Sequence, residues 1–174
     1  ARLLADSLGT DLSKVANELD KLMLLLPDGG QIKEPLVERH TGISKDFNVF
    51  ELLNAVVAGD HLKANLIVNY FEANPKNNPL VVTVSNLFRY FLNLLTYHYQ
   101  KRTTASPQEM ARLLGVSPYF LKDYTEGARR YSAMKCARVI SLLREYDLKS
   151  KGVGNANIPD GQLLRELIFK IMHQ

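Results

Sequence analysis

The sequence predicts an all-α protein, and three observations predict it. Apolar residues recur at helical spacing over most of the chain. Residues that start and stop helices punctuate it at intervals of one helix length. No sustained alternating run, of the kind a half-buried strand needs, interrupts the pattern. The 174 residues are 46% hydrophobic and 23% charged, the balance of an ordinary globular chain. The longest apolar stretch, Leu22 to Leu26, is too short to span a bilayer.

The elements follow in order. ARLLADSLG already reads as helix from Ala1, so we expect a piece of a longer protein. Gly9 stops that helix, and Thr10 or Asp11 caps the next. There Leu12, Val15, Ala16, Leu19, Leu22, Met23 and Leu26 share one face, opposite Lys14, Asn17, Glu18 and Lys21. Pro27-Asp28-Gly29-Gly30 ends it, and a short helix is expected from Glu34 to Arg39. Asn48 with Glu51 has the spacing of a capping box, followed by Phe50, Leu53, Val56 and Val57. Gly59-Asp60 is a combined stop and start. Leu62, Leu66, Ile67, Tyr70 and Phe71 then mark a helix face that ends at Asn74-Pro75.

Pro79 is expected at the first position of the longest helix, where its missing N–H costs nothing. Val84, Leu87, Phe88, Phe91, Leu95 and His98 mark its stripe, and Leu92 and Leu94 widen it. The width predicts a central, largely buried helix, with His98 a satisfied boundary histidine. Ser106-Pro107 opens another helix ended by Gly115, and Ser117-Pro118 one running toward Arg130. Ser132 caps a long helix with Cys136, Val139, Ile140, Leu143 and Tyr146 on its face. A lone cysteine there reads as a small buried hydrophobe. The stretch from Lys151 to Pro159 is a loop, and Leu163, Leu164, Leu167, Ile168 and Ile171 define a last helix.

No catalytic, cofactor-binding or metal-ligating constellation emerges. Gly29-Gly30 is not followed by a phosphate-loop Lys-Ser/Thr, and no serine sits in a nucleophile elbow. His40, His61, His98 and His173 lie far apart without i,i+4 partners, and one cysteine supplies no zinc knuckle.

The formal charge of +4 is unevenly spread. Residues 99–151 hold 11 Lys/Arg against 5 Asp/Glu, whereas the remaining 121 residues hold 11 against 13. Such asymmetry points to an anionic partner or a solvated basic face. Within this tract, Ala111, Gly115 and Leu121 have the spacing of a helix-turn-helix. One alternative is therefore a helix-turn-helix DNA-binding regulator using residues 106–130. Asp123 and Glu126 weigh against it, because they sit where base edges would be read.

Several segments together resemble a known family. GTDLSKVANELDKL (9–22), FNVFELLNAVVAGD (47–60), SPQEMARLLGVSPYFLKDYTEGARRYS (106–132), EYDLKSKG (145–152) and LLRELIF (163–169) occur in that order. They are similar to the delta subunit of the bacterial DNA polymerase III clamp loader, over nearly the whole chain. The resemblance implies a lid remnant at 1–44, the C-terminal part of an AAA+-like helical domain. It implies a helical-bundle collar, the oligomerisation domain, at 45–174. The collars of this family pack side by side and hold a pentamer together during sliding-clamp loading in DNA replication.

Such a protein is a non-catalytic component of a DNA-directed DNA polymerase holoenzyme, a nucleotidyltransferase. The expected partners are other clamp-loader subunits through the collar, and primer-template DNA in the assembled complex. The sliding clamp is reached only through an N-terminal domain missing from this chain. No membrane, small-molecule substrate or cofactor is expected, and the setting is the bacterial cytoplasm at the nucleoid-associated replisome. The other loader subunits normally carry arginine-bearing sensor motifs before their collars; residues 1–44 hold no convincing one, which favours delta. Lys149 and Lys151, beside the Gly-rich loop, are then expected contacts to DNA backbone phosphates. The competing reading is that both lysines simply cap the helix end.

Overall fold

The computed structural model describes residues 12–26, 30–33, 36, 47–101, 103–104, 106–154 and 157–174. The expected helix from Ala1 and nearly all of the short one at Glu34 to Arg39 lie outside them. Among the described residues the structure is entirely helical, without a strand. Its helices are α1 (Leu12–Leu24), α2 (Val49–Ala58), α3 (His61–Ala73), α4 (Leu80–Gln100), α5 (Pro107–Leu114), α6 (Leu121–Arg130), α7 (Ala133–Ser150) and α8 (Asp160–Met172). A 3₁₀ turn, Pro118–Phe120, precedes α6.

The caps are where the sequence places them. Asn48 Oδ1 accepts from the N–H groups of Phe50 and Glu51, each at 3.0 Å. Asp60, Ser106, Ser117 and Ser132 do the same for the helices or turn that follow them. Gly59 and Gly115 end α2 and α5 in the left-handed region, at φ of 75° and 64°. Pro79 stands one position earlier than expected, as the extended residue before α4.

α1 buries Leu22 under Val15, Leu19, Ile32 and Leu36, a cluster of its own. Leu12 and Met23, expected on that face, are exposed. The main core is built by the other helices. α4 lies along α7, the most extensive helix contact, while α8 packs on α3 and α7, and α2 on α3. α5 and α6 close against α4. Leu80, Val84, Leu87, Phe91 and Leu94 of α4 meet Cys136, Val139, Leu143 and Tyr146 of α7 in one continuous core. All five residues expected on the inner face of α8 are buried.

Polar groups at the joints are matched. Tyr90 Oη donates to the Asp123 carbonyl at 3.1 Å, and Asn93 Nδ2 to the Leu114 carbonyl at 2.9 Å. His98 Nε2 donates to the Tyr131 carbonyl at 2.7 Å, and Tyr131 Oη to the Val56 carbonyl at 3.3 Å. His98 is thus the satisfied boundary histidine its position predicts. Cys136 is fully buried, and burial pushes its thiol up to about 11, out of the range of a reactive thiolate.

On α2, Phe50 is exposed and Leu52 and Ala55 are buried beside Val56, a shift from the expected face. Two longer helices differ as well. On α3, Leu62 and Leu66 are exposed, and Ala64 and Val68 take the inner positions beside Ile67 and Phe71. On α4, Phe88 and Leu92 point outward, while Thr83 and Tyr90 turn in. Both helices are apolar on more than one side. Periodicity then identifies a helix without selecting which stripe meets the core.

Candidate functional site

Three surfaces are candidates: the basic end of α7, the α5–α6 corner and the outer side of α4. At the end of α7, Lys149 Nζ lies 2.6 Å from Glu145 and 4.5 Å from the centre of the Tyr146 ring. Lys151 Nζ lies 2.7 Å from Asp147. Both are i,i+4 pairs, the second reaching the residue that caps α7, and such a contact is worth about 0.2–0.5 kcal/mol. The hydrogen bond to Glu145 is the main cause that holds the Lys149 ammonium above its ordinary range, so it stays charged. Its side chain keeps 23% of its exposure and that of Lys151 keeps 55%. Each lysine is thus paired with a carboxylate four residues earlier. Gly152 and Gly154 follow in left-handed conformations, at φ of 85° and 66°.

Beside them Tyr146 joins α7 to α8. Its ring is buried, its hydroxyl accepts from Lys170 Nζ at 3.0 Å, and Lys170 pairs with Glu166 at 2.6 Å. That bond to Lys170, followed by one from Tyr146, holds the Glu166 carboxyl below its usual range.

The α5–α6 corner has the local geometry its spacing implies. Ala111 is buried, Gly115 makes the turn and Leu121 is half-buried. The second helix, however, is preceded by the 3₁₀ turn, and its inner residues Tyr124 and Gly127 pack on α4. Gly127 lies so close to Tyr90 that a Cβ there would clash with the phenolic oxygen. A hydrogen bond joins Tyr97 Oη and Thr125 Oγ1 at 3.2 Å across the same contact.

The outer side of α4 was the least legible. Val81, Ser85, Phe88, Leu92, Leu95 and Tyr99 follow one another at spacings of 4, 3, 4, 3 and 4 residues. That is the seam a second helix packs against in a coiled coil. Val81, Phe88, Leu92 and Tyr99 are 39%, 38%, 44% and 70% exposed, and Leu95 is half-buried at the edge of the core. The heptad spacing could have revealed this seam, but the richer apolar stripe around the same helix masked it.

Taken together, fold and surfaces define an all-helical bundle module whose longest helix carries two apolar stripes, one inside and one outside. The chain belongs to the family of the DNA polymerase III delta subunit, C-terminal domain, whose model matches residues 46–169. It is 26% identical over 159 residues to DNA polymerase III subunit delta of Bacillus subtilis (strain 168), covering 91% of this chain and 44% of that protein. Its fold matches the Bacillus subtilis DNA clamp loader delta protein at a TM-score of 0.68 and 20% identity, over 98% of this chain and 49% of the other. The chain therefore spans about half the length of the relatives it matches. None of these matches is a sequence-specific regulator, so the helix-turn-helix alternative finds no support. The pair of helices it rested on packs against α4. Among the described residues, no helix is long and apolar enough to cross a membrane.

Proposed function

We propose that this chain is the collar-bearing part of a clamp-loader delta subunit, and that it acts by holding neighbouring subunits together rather than by catalysis. Residues 45–174 form the collar in this reading, and residues 1–44 the end of the lid before it. The observation that carries it is the uncovered seam on α4. Helix burial in water is driven by removing apolar surface, and a heptad-spaced ridge left outside a completed core offers that surface to another helix. The partners are other clamp-loader subunits in the bacterial replisome. Primer-template DNA lies within the assembled complex, and the sliding clamp is contacted only by the N-terminal part of the whole subunit.

Within that assembly Lys149 and Lys151 contact backbone phosphates. The weak i,i+4 pairs they make with Glu145 and Asp147 are exchanged for phosphate oxygens. The direct test mixes the chain with purified clamp-loader subunits and reads mass by light scattering and native mass spectrometry. A defined complex containing one copy of this chain is expected. Co-elution failing with every subunit combination would contradict the proposal.

A further inference from the structure

His61 and His173 are 112 positions apart in sequence, yet the fold brings their rings together, centre to centre at 5.2 Å with a tilt of 55°. His61 opens α3 and His173 follows α8, two helices that pack on each other. Both side chains are exposed and open to solvent ions. We propose that this pair is a site for a divalent transition-metal ion of the zinc, nickel and copper class, held by two imidazoles and completed by water.

Three observations carry it. With metal–nitrogen bonds of about 2 Å and tetrahedral geometry, the centres of two ligating imidazoles stand roughly 5 Å apart, which is the separation found. His173 is set up as metal-bound histidines usually are. Its Nδ1–H donates to the Phe169 carbonyl at 2.8 Å, which fixes the tautomer and leaves the Nε2 lone pair for a ligand. The Phe169 ring stacks on the His173 imidazole at 4.1 Å and 29°, holding its plane. The His61 ring, for its part, makes no hydrogen bond among the described residues, so its nitrogens are not committed elsewhere. No third His, Cys, Asp or Glu joins the pair among the described residues. The remaining positions therefore fall to water, and the ion is exchangeable. Bound there, it ties the start of α3 to the end of α8.

The test uses the untagged 174-residue chain, with Zn2+ as the probe and Mg2+ as the control, because imidazole is a poor magnesium ligand. Isothermal titration should show one saturable Zn2+ site and none for Mg2+. Either single variant, His61→Gln or His173→Gln, should weaken it by at least about tenfold. Zn2+ near saturation should raise the melting temperature of the parent chain by about 3 °C, and of neither variant. Exposed positions make both variants fold, which circular dichroism verifies. Absence of saturable Zn2+ binding, retention of it in either variant, or saturation without a melting shift would each overturn the proposal.

Discussion

The two long sides of α4 differ in what covers them, not in what they are made of. One side, with Leu80, Val84, Leu87, Phe91 and Leu94, is buried in the bundle. The other, with Val81, Phe88, Leu92 and Tyr99, is apolar and partly exposed. Hydrophobic composition alone predicts burial for both. The comparison teaches that one helix can carry two apolar stripes with different degrees of burial. One is buried when the chain folds; in the proposed collar the other is buried by a neighbour.

The largest effect should come from the inner side. Phe91 is fully buried, in edge-to-face contact with Tyr131 at a centroid distance of 5.0 Å. Phe91→Ala is expected to cost about 3–5 kcal/mol, read by urea unfolding; an unchanged midpoint would mean that α4 is not the central helix. Gly127→Ala comes next, because the new Cβ would meet the Tyr90 hydroxyl. It should cost about 1–3 kcal/mol by overpacking. Since the clash is with the phenolic oxygen, adding Tyr90→Phe should recover part of that loss. A double variant as unstable as the sum of the two singles would show that the contact between α4 and α6 is described wrongly.

The charged end of α7 sharpens the comparison from the other direction, as a surface whose charges are already paired. In the assembled loader, Lys149→Gln with Lys151→Gln should lower the slope of log binding constant against log salt by about 1–2. Stability of the chain should move by no more than a few tenths of a kcal/mol. An unchanged DNA affinity and salt slope would remove these lysines from the interface.

How much of this was legible depended on the type of signal. Caps were read correctly because each is a local matter of one side chain and one or two N–H groups, as with Asn48, Asp60, Ser106 and Ser132. The inner face of α8 was read correctly because α8 has a single apolar stripe. The faces of α3 and α4 were misread at Leu62, Leu66, Phe88 and Leu92, where a second apolar stripe competes with the first. Which stripe is inside depends on helices far away in sequence, and no local pattern contains that. The meeting of His61 with His173 was invisible for the same reason. The lysines at 149 and 151 were placed correctly near a helix end, but the carboxylates at 145 and 147 that pair with them were given no weight.

The most direct measurement compares two outward-facing pairs of comparable chemistry. Phe88→Glu with Leu92→Glu charges the seam of α4, and Leu62→Glu with Leu66→Glu charges a more exposed apolar stretch of α3. Both double variants should melt within a few degrees of the parent, since neither pair is in the core. Mixed with the clamp-loader subunits, the α3 variant should assemble as the parent does, and the α4 variant should elute alone. An α4 variant that enters the complex with undiminished affinity would contradict the account, because the outer side of α4 would then not be the surface that holds the neighbours.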